Sequence, residues 1–375
     1  MYQAYQTPLN GDCIGVVFGC FAPLHQGHLE LIMQAKKECD GGVIVICCGF
    51  DGDRGEEVGL PHKRRYRYVR EFFSDDDLVA VGAINDTELG LPAYPNGWVG
   101  WLEEFKHIAH AFTDAHCAEN VEYRFYVGEQ DYYNYLVNNT SYSAVLVNRT
   151  DNPISATMIR QNPVKHWDKI AMPFRRAFSH NILVMGTASE GKTTLCKDLG
   201  KFFGAPYSYE WARVYMEESC VQDTELDGAD FLAFLEGQFN LNKSMINSPA
   251  NHGIFIADTD AMVTLMYALE YAEDPGCAMT KPELEAVVAA AKAYIAKERW
   301  DTIFLLPPRG KFVDDHTRYM EHADMDSRNR LMKKLMDILT EAGFEDKVII
   351  LNEGYAQNFQ TAKKYIAKLI EEGRK

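Results

Sequence analysis

The sequence predicts an α/β protein made of two doubly wound parallel-sheet domains. Three observations carry that prediction. Strand-length apolar runs alternate with helical stretches throughout the 375 residues, which is the pattern of parallel strands joined by crossover helices. The alternation breaks at about residues 163 to 180 and then restarts, dividing the chain into expected domains at 1–170 and 178–375. Each half also opens with a buried strand running through a glycine-bearing turn into a helix, an arrangement that aims backbone N–H groups and a helix dipole at an anion.

Composition narrows the class. Apolar residues make up 47% and charged residues 25%, ordinary for a globular chain with sizeable cores. No run of 18 apolar residues occurs, so no membrane insertion is expected, and the polar N-terminus has no signal pattern. The nine cysteines show no C-x-x-C spacing, which suits reduced thiols and a cytoplasmic location. Net charge is −16. Residues 1–176 hold 16 Lys+Arg against 23 Asp+Glu, and the remainder 22 against 31, giving −7 and −9. Neither half is a basic module, so nucleic acid is not an expected partner.

In the first half, Ile14 to Phe18 reads as a buried strand. It leads into Gly19-Cys-Phe-Ala-Pro-Leu-His-Gln-Gly-His28 and a helix from Leu29 to Lys37. Two histidines three residues apart share a helical face, and at a helix start they suit phosphate. Val43 to Cys48 is a second strand, ending in Gly49-Phe50-Asp51. A helix from His62 to Phe73 follows, with the basic cluster Lys63, Arg64, Arg65, Arg67 and Arg70. Leu78 to Val81 is the third strand. The loop from Gly90 to Gly97 precedes a helix opened by Trp98 and Trp101. Tyr123 to Val127 and Ala144 to Val147 complete the strands of this half. Ligands of such sheets bind beyond the strand carboxyl ends, so the histidine turn, Gly49-Phe50-Asp51, the Trp98 loop and Gly128-Glu129 fall on one rim. Ile154-Ser-Ala-Thr-Met-Ile-Arg160 then offers hydroxyls, helix N–H groups and an arginine. It reads either as a second anion site or as an ordinary capped helix.

The second half begins with a strand from Asn181 to Met185 and the loop Gly186-Thr-Ala-Ser-Glu-Gly-Lys-Thr-Thr194, followed by a helix to Phe203. This is the phosphate-binding pattern G-x-x-x-x-G-K-[ST] in its strand–loop–helix context. Lys192 reaches the β/γ-phosphates of a bound nucleotide and Thr193 ligates Mg²⁺. Pro206 to Tyr209 reads as a strand delivering Glu210, with Arg213 three residues on. Gly253 to Asp258 is an apolar strand ending in an acid, with Asp260 close behind, the usual arrival of a metal-associated carboxylate. Helices over Ala261 to Tyr271 and Lys281 to Lys297, a strand from Thr302 to Leu306, a helix from Ser327 to Gly343, a strand from Lys347 to Leu351 and a helix from Gln357 to Glu372 complete the unit. Arg309, Lys311 and Arg318 form either a lid over a triphosphate or solvated surface charge.

With these segments in hand, the chain resembles the NadR family, a nicotinamide-nucleotide adenylyltransferase fused to a ribosylnicotinamide kinase. The carrying residues are the G-x-F-x-P-x-H-x-G-H signature from Gly19 to His28, the segment Ile154 to Arg160, the Lys192 loop, Tyr209-Glu-Trp-Ala-Arg213, Ile256-Ala-Asp-Thr-Asp260 and Val313-Asp-Asp-x-x-Arg318. The resemblance covers nearly the whole chain. Some members begin with a helix-turn-helix domain, which is not expected here because the first strand starts by Ile14.

The resemblance implies a Rossmann-like nucleotidyltransferase domain followed by a P-loop domain like those of nucleoside kinases. It implies ATP as a substrate of both, with Mg²⁺. In the first, ATP and nicotinamide mononucleotide give NAD and pyrophosphate by direct attack. His25 and His28 are the expected phosphate donors, joined by Gly19 and Phe21, while Ser155, Thr157 and Arg160 hold the leaving pyrophosphate. Asn96 and Trp98 are candidates for the nicotinamide pocket, since an indole face suits a cationic ring; packing is the alternative for Trp98. Lys63 or Arg64 pairs with the mononucleotide phosphate, or else lies on a solvated helix face. In the second domain, the γ-phosphoryl of ATP passes to ribosylnicotinamide. Gly186, Ser189, Gly191, Lys192, Thr193 and Thr194 cradle the phosphates, with Arg309 and Arg318 as further contacts. Glu210 or Asp258 orients the acceptor hydroxyl, Arg213, Asp258 and Asp260 contact substrate, and Thr193 with Asp258 holds the metal. Two other readings keep the motifs: a fusion acting on another cofactor precursor, and an NAD- or ATP-sensing regulator. Self-association into a homo-oligomer stays open.

Overall fold

The first strand shows why both sheets form. In the computed structural model, β1 (Cys13–Gly19) sends Ile14 and Val16 to one face and Val17 to the other, all fully buried. Side chains alternate along a strand, so a continuous apolar run requires cover on both faces, which parallel sheets with crossover helices provide. The structure describes residues 8–113, 121–147, 154–274, 276, 278–309 and 324–372. They divide into two compact units, one ending at Phe178 and one beginning at Ser179.

The first unit continues through α1 (Gln26–Glu38), β2 (Val43–Gly49), α2 (His62–Phe72), β3 (Val79–Asn85), α3 (Trp98–Phe112), β4 (Glu122–Val127), α4 (Gln130–Asn139), β5 (Ser143–Leu146), α5 (Ala156–Gln161) and α6 (Met172–Arg175). Its sheet order is β3-β2-β1-β4-β5, with every pair parallel. One face packs α1, α2 and α6 over Val17, Val43 and Val45; the other packs α3 and α4 over Ile14, Val16, Ile44 and Ile46. The third strand runs past the expected Val81 to Asn85, carrying Asn85 to the strand-end rim beside Gly49.

The expected break at 163–180 is not a linker. Trp167, Ile170, Phe174 and Phe178 are buried in the first unit's core, each large side chain stabilising by about 1.5–3 kcal/mol. Short turns rather than a long helix present these anchors, so no hydrophobic period marks them.

The second unit comprises β6 (His180–Gly186), α7 (Lys192–Phe203), β7 (Tyr207–Ser208), α8 (Trp211–Ser219), α9 (Gly228–Ile246), β8 (Ile254–Asp258), α10 (Ala261–Tyr271), α11 (Lys281–Ile295), β9 (Thr302–Leu306), α12 (Met325–Glu341), β10 (Val348–Ile350) and α13 (Tyr355–Glu372). The order is β10-β9-β6-β8-β7, again all parallel. Leu183 and Met185 of β6 face α9 to α12, while Ile182 and Val184 face α7 and α13. Helices α4, α6, α8 and α9 have no counterpart in the sequence reading. The buried stripe of α9 (Phe231, Phe234, Leu235, Gln238, Asn242) includes two amides, which hides its apolar period.

Candidate functional site

In the first unit, the chain leaves β1 at Gly19 and reaches His25, the N-cap of α1. Nδ1 of His25 accepts from the Gly27 N–H at 3.1 Å, so in the neutral ring Nε2 carries the hydrogen. The His25 ring lies 3.8 Å from that of His28, centroid to centroid, at 30°. Gly27 leaves room for this contact: a Cβ there would stand 3.2 Å from His25 Cε1, so the ring would have to give by a few tenths of an ångström. Phe21 is buried and sets its ring edge-on to His28 at 5.1 Å. Its side chain therefore braces the histidine. Gly19 sits under the same Phe21 ring.

The two sequence segments meet. Arg160 donates to the Ala22 carbonyl at 2.7 Å and to Thr157 Oγ1 at 3.1 Å. Ser155 caps α5 by accepting the Met158 N–H at 3.2 Å. Lys169 donates to Gln26 at 2.6 Å, tying the following turn to the start of α1. Burial, and then the neighbouring Arg54 charge, push the Arg160 pKa down; a guanidinium held partly out of water beside another cation favours an anion.

Other expected contacts are placed elsewhere. Lys63 is largely exposed and pairs with Glu88 at 3.3 Å, and Arg64 donates to the Gly59 carbonyl at 2.7 Å. The buried member of that cluster is Arg65, which forks onto Asp53 and donates to the Leu60 carbonyl at 2.6 Å, fixing the loop after β2. Asn96 is exposed. Trp98 is buried, with one face stacked on Tyr135 at 4.6 Å and 10° and its edges against Phe18, Trp101 and Tyr132. It is a core ring rather than an open platform, so packing describes it. The exposed ring of that cluster is Tyr94.

In the second unit, the loop from β6 to α7 takes backbone angles that glycine supplies. Gly186 has φ 145°, and a Cβ there would lie 2.2 Å from the Leu306 carbonyl oxygen; Gly191 has φ 81°. Ser189 adopts φ 66° between them. Lys192 opens α7 and donates to the Thr187 carbonyl at 2.9 Å, Thr193 Oγ1 donates to Asp258 Oδ2, and Thr194 is exposed on the first turn. Asp258 is buried at the end of β8, and that burial raises its pKa to about 6. Its Oδ1 has no hydrogen-bond partner among the described residues. A hydroxyl beside a carboxylate with an unused oxygen is a donor set that fits Mg²⁺, which takes oxygen ligands and completes its shell with phosphate and water.

A cavity opens next to this loop, with about 1090 Å³ of space including its mouth; Ala188, Lys192, Glu210, Arg213, Gln238 and Arg328 are among its walls. Glu210 pairs with Arg213 at 3.5 Å. Asp260 is not in the wall: it caps α10, accepts from Met262 and Val263 N–H groups, and accepts from Trp300 Nε1 at 3.0 Å. Its carboxylate is consumed inside the core, which corrects its assignment to substrate. Arg309 is exposed and gives its backbone N–H to Glu190. Arg318 and Lys311 lie outside the described residues.

Two comparisons of sequence pattern agree with this division. The cytidylyltransferase-like family matches residues 16–162, and the AAA domain family matches residues 181–358. The trifunctional NAD biosynthesis/regulator protein NadR of Escherichia coli is 26% identical over 385 residues, spanning 100% of this chain and 87% of its own. That of Salmonella typhimurium is 28% identical over 361 residues, spanning 92% and 80%. A crystal structure of a NadR protein in complex with NR is 37% identical with a TM-score of 0.83, covering 99% of both chains. This chain belongs to the NadR family. A second NadR structure, in complex with NAD and AMP-PNP, is 36% identical with a TM-score of 0.82, covering 98% of this chain and 99% of its own.

In this chain, sequence reasoning passed over two side chains in the cavity wall. Gln238 accepts from the Trp211 N–H at 2.8 Å and donates to the Tyr209 carbonyl at 3.1 Å, clamping the backbone on both sides of Glu210. Arg328 is buried on α12, contacts the Ala188 carbonyl oxygen at 3.4 Å and pairs with Glu190. Gln238 lies on the buried stripe of α9, seven residues after Phe231, a signal visible once α9 is recognised.

Proposed function

We propose that this chain converts ribosylnicotinamide to NAD in two ATP-dependent steps, one in each unit. The observation that carries the reading is the likeness, over 98–99% of the chain, to NadR proteins bound to NR and to NAD with AMP-PNP. The two phosphate-binding turns support it independently.

In the second unit, ribosylnicotinamide occupies the cavity beside Lys192. Its 5′-oxygen attacks the γ-phosphorus of ATP, the bond to the bridging β–γ oxygen breaks, ADP leaves, and the hydroxyl proton passes to a carboxylate. Glu210 is that carboxylate, because it stands in the cavity wall, whereas Asp258 is engaged with Thr193. Arg213 fixes the Glu210 carboxylate. The loop N–H groups and Lys192 hold the phosphates. Thr193 and Asp258 would hold Mg²⁺, which would supply positive charge to the phosphates.

In the first unit, the phosphate of the mononucleotide attacks the α-phosphorus of ATP and pyrophosphate leaves. No covalent intermediate with the protein is needed, so alignment and charge stabilisation carry the rate. His28, braced by Phe21, and His25, through Nε2–H, donate to the phosphates; Thr157 and Arg160 hold the departing end. A cytoplasmic location suits cysteines that carry free thiols among the described residues.

The test separates the steps. Lys192→Met is expected to abolish phosphorylation of ribosylnicotinamide while mononucleotide and ATP still give NAD. His28→Ala is expected to stop at the mononucleotide. Variants that lose both steps together, or a wild-type chain that makes neither product, would sink the proposal.

A further inference from the structure

Among the described residues, Arg65 and Arg328 head the largest fully buried side chains. Arg65 has a structural partner in Asp53. Arg328 is differently placed. It lies on the core-facing stripe of α12 with Leu331, Leu335 and Leu339, a position where an apolar side chain meets every packing need and a guanidinium incurs desolvation. The guanidinium reaches the loop between β6 and α7, where it contacts the Ala188 carbonyl oxygen and pairs with the Glu190 carboxylate. Arg328 also shares its cavity with Lys192, Glu210 and Arg213. Both residues of the pair are almost inaccessible to solvent, so Glu190 holds the guanidinium in one orientation. Burial lowers the Arg328 pKa, yet an arginine stays charged.

We propose that Arg328 is a catalytic residue of phosphoryl transfer, donating to the γ-phosphoryl oxygens as the bond to the β–γ bridge breaks, with Glu190 as its positioning residue. Negative charge spreads over those oxygens in the transition state, and an arginine supplied there accelerates transfer by about 10³–10⁵-fold. The inference rests on the kinase reading above and adds a residue that no nucleotide-loop pattern contains.

The competing role is structural: Arg328 merely neutralises Glu190. Three variants separate the two roles, namely Arg328→Gln, Arg328→Lys and the double variant Glu190→Gln/Arg328→Gln, which leaves no orphaned carboxylate. Phosphorylation of ribosylnicotinamide is measured as kcat and KM, with adenylyl transfer and thermal unfolding of the same preparations as controls. Arg328→Gln is expected to lower kcat about 10³-fold with acceptor KM within about threefold of wild type, and Arg328→Lys to recover part of the loss. If Arg328→Gln does not fold, the double variant is the deciding protein: it folds and remains about 10³-fold slow. Recovery of kcat in the double variant to within about tenfold of wild type overturns the inference. A wild-type chain inert toward ribosylnicotinamide would instead defeat the substrate reading; the same variants are then compared on whichever nucleoside the wild-type chain phosphorylates, and a wild-type rate in Arg328→Gln defeats this inference alone.

Discussion

Gln238→Leu is the sharpest probe of how the second unit positions its carboxylate. The leucine keeps the size of the side chain and removes its amide, taking away three hydrogen bonds: from the Trp211 N–H at 2.8 Å, to the Tyr209 carbonyl at 3.1 Å and to Asn242 Oδ1 at 3.0 Å. Two of them flank Glu210. A buried polar group left without a partner costs about 1–3 kcal/mol; the Trp211 and Tyr209 groups are only part-buried, which places the total near about 3 kcal/mol. A displacement of about 1 Å at a reacting group costs about 10²-fold in rate. The expected result is a second unit destabilised by about 3 kcal/mol in urea, with kcat for phosphorylation down about 10²-fold and adenylyl transfer unchanged. A folded Gln238→Leu protein with kcat within twofold of wild type would refute the positioning argument.

Three further outcomes are expected. His28→Ala should slow adenylyl transfer by about 10²–10³-fold, the usual cost of one lost transition-state donor, with phosphorylation of ribosylnicotinamide unaffected in the same preparation. Gly186→Ala forces a Cβ to within 2.2 Å of the Leu306 oxygen at φ 145°; urea unfolding should show the second unit weakened by more than about 2 kcal/mol. Trp98→Ala empties a site packed by Tyr135, Trp101 and Phe18 and should cost the first unit about 3–5 kcal/mol. A wild-type unfolding curve there, paired with a raised KM for the mononucleotide, would restore Trp98 as an open nicotinamide platform.

What the sequence disclosed follows from where physical constraint is concentrated. Strands β1, β2, β6, β8 and β9 are buried on both faces and read as unbroken apolar runs, and the two glycine turns beside them are legible because phosphate binding needs backbone of that shape. Legibility failed where polar groups sit inside. Gln238 and Asn242 interrupt the apolar stripe of α9, so a 19-residue helix lacked its signature although its Asp227–Asp230 capping box was present. Arg328 resembles solvated charge until its phase with Leu331 and Leu335 is counted. In α2 the same count singles out the buried residue: His62, Arg65 and Val69 share a stripe, whereas Lys63 and Arg64 point off it. Asp260 followed a strand-ending acid by two residues and so looked functional, but the partner that consumes it, Trp300, is 40 residues away in sequence.

The central claim is that one chain uses two different bonds of ATP. NAD has two phosphorus atoms, and this assignment gives each its own origin. Wild-type protein with ribosylnicotinamide and Mg²⁺ is supplied in parallel with ATP labelled at the γ-phosphorus and ATP labelled at the α-phosphorus. Both labels are expected to appear in NAD, one atom from each source, with label from the γ-position appearing first in the mononucleotide. NAD that carries the α-label but never the γ-label, or no labelled dinucleotide at all, would contradict the account.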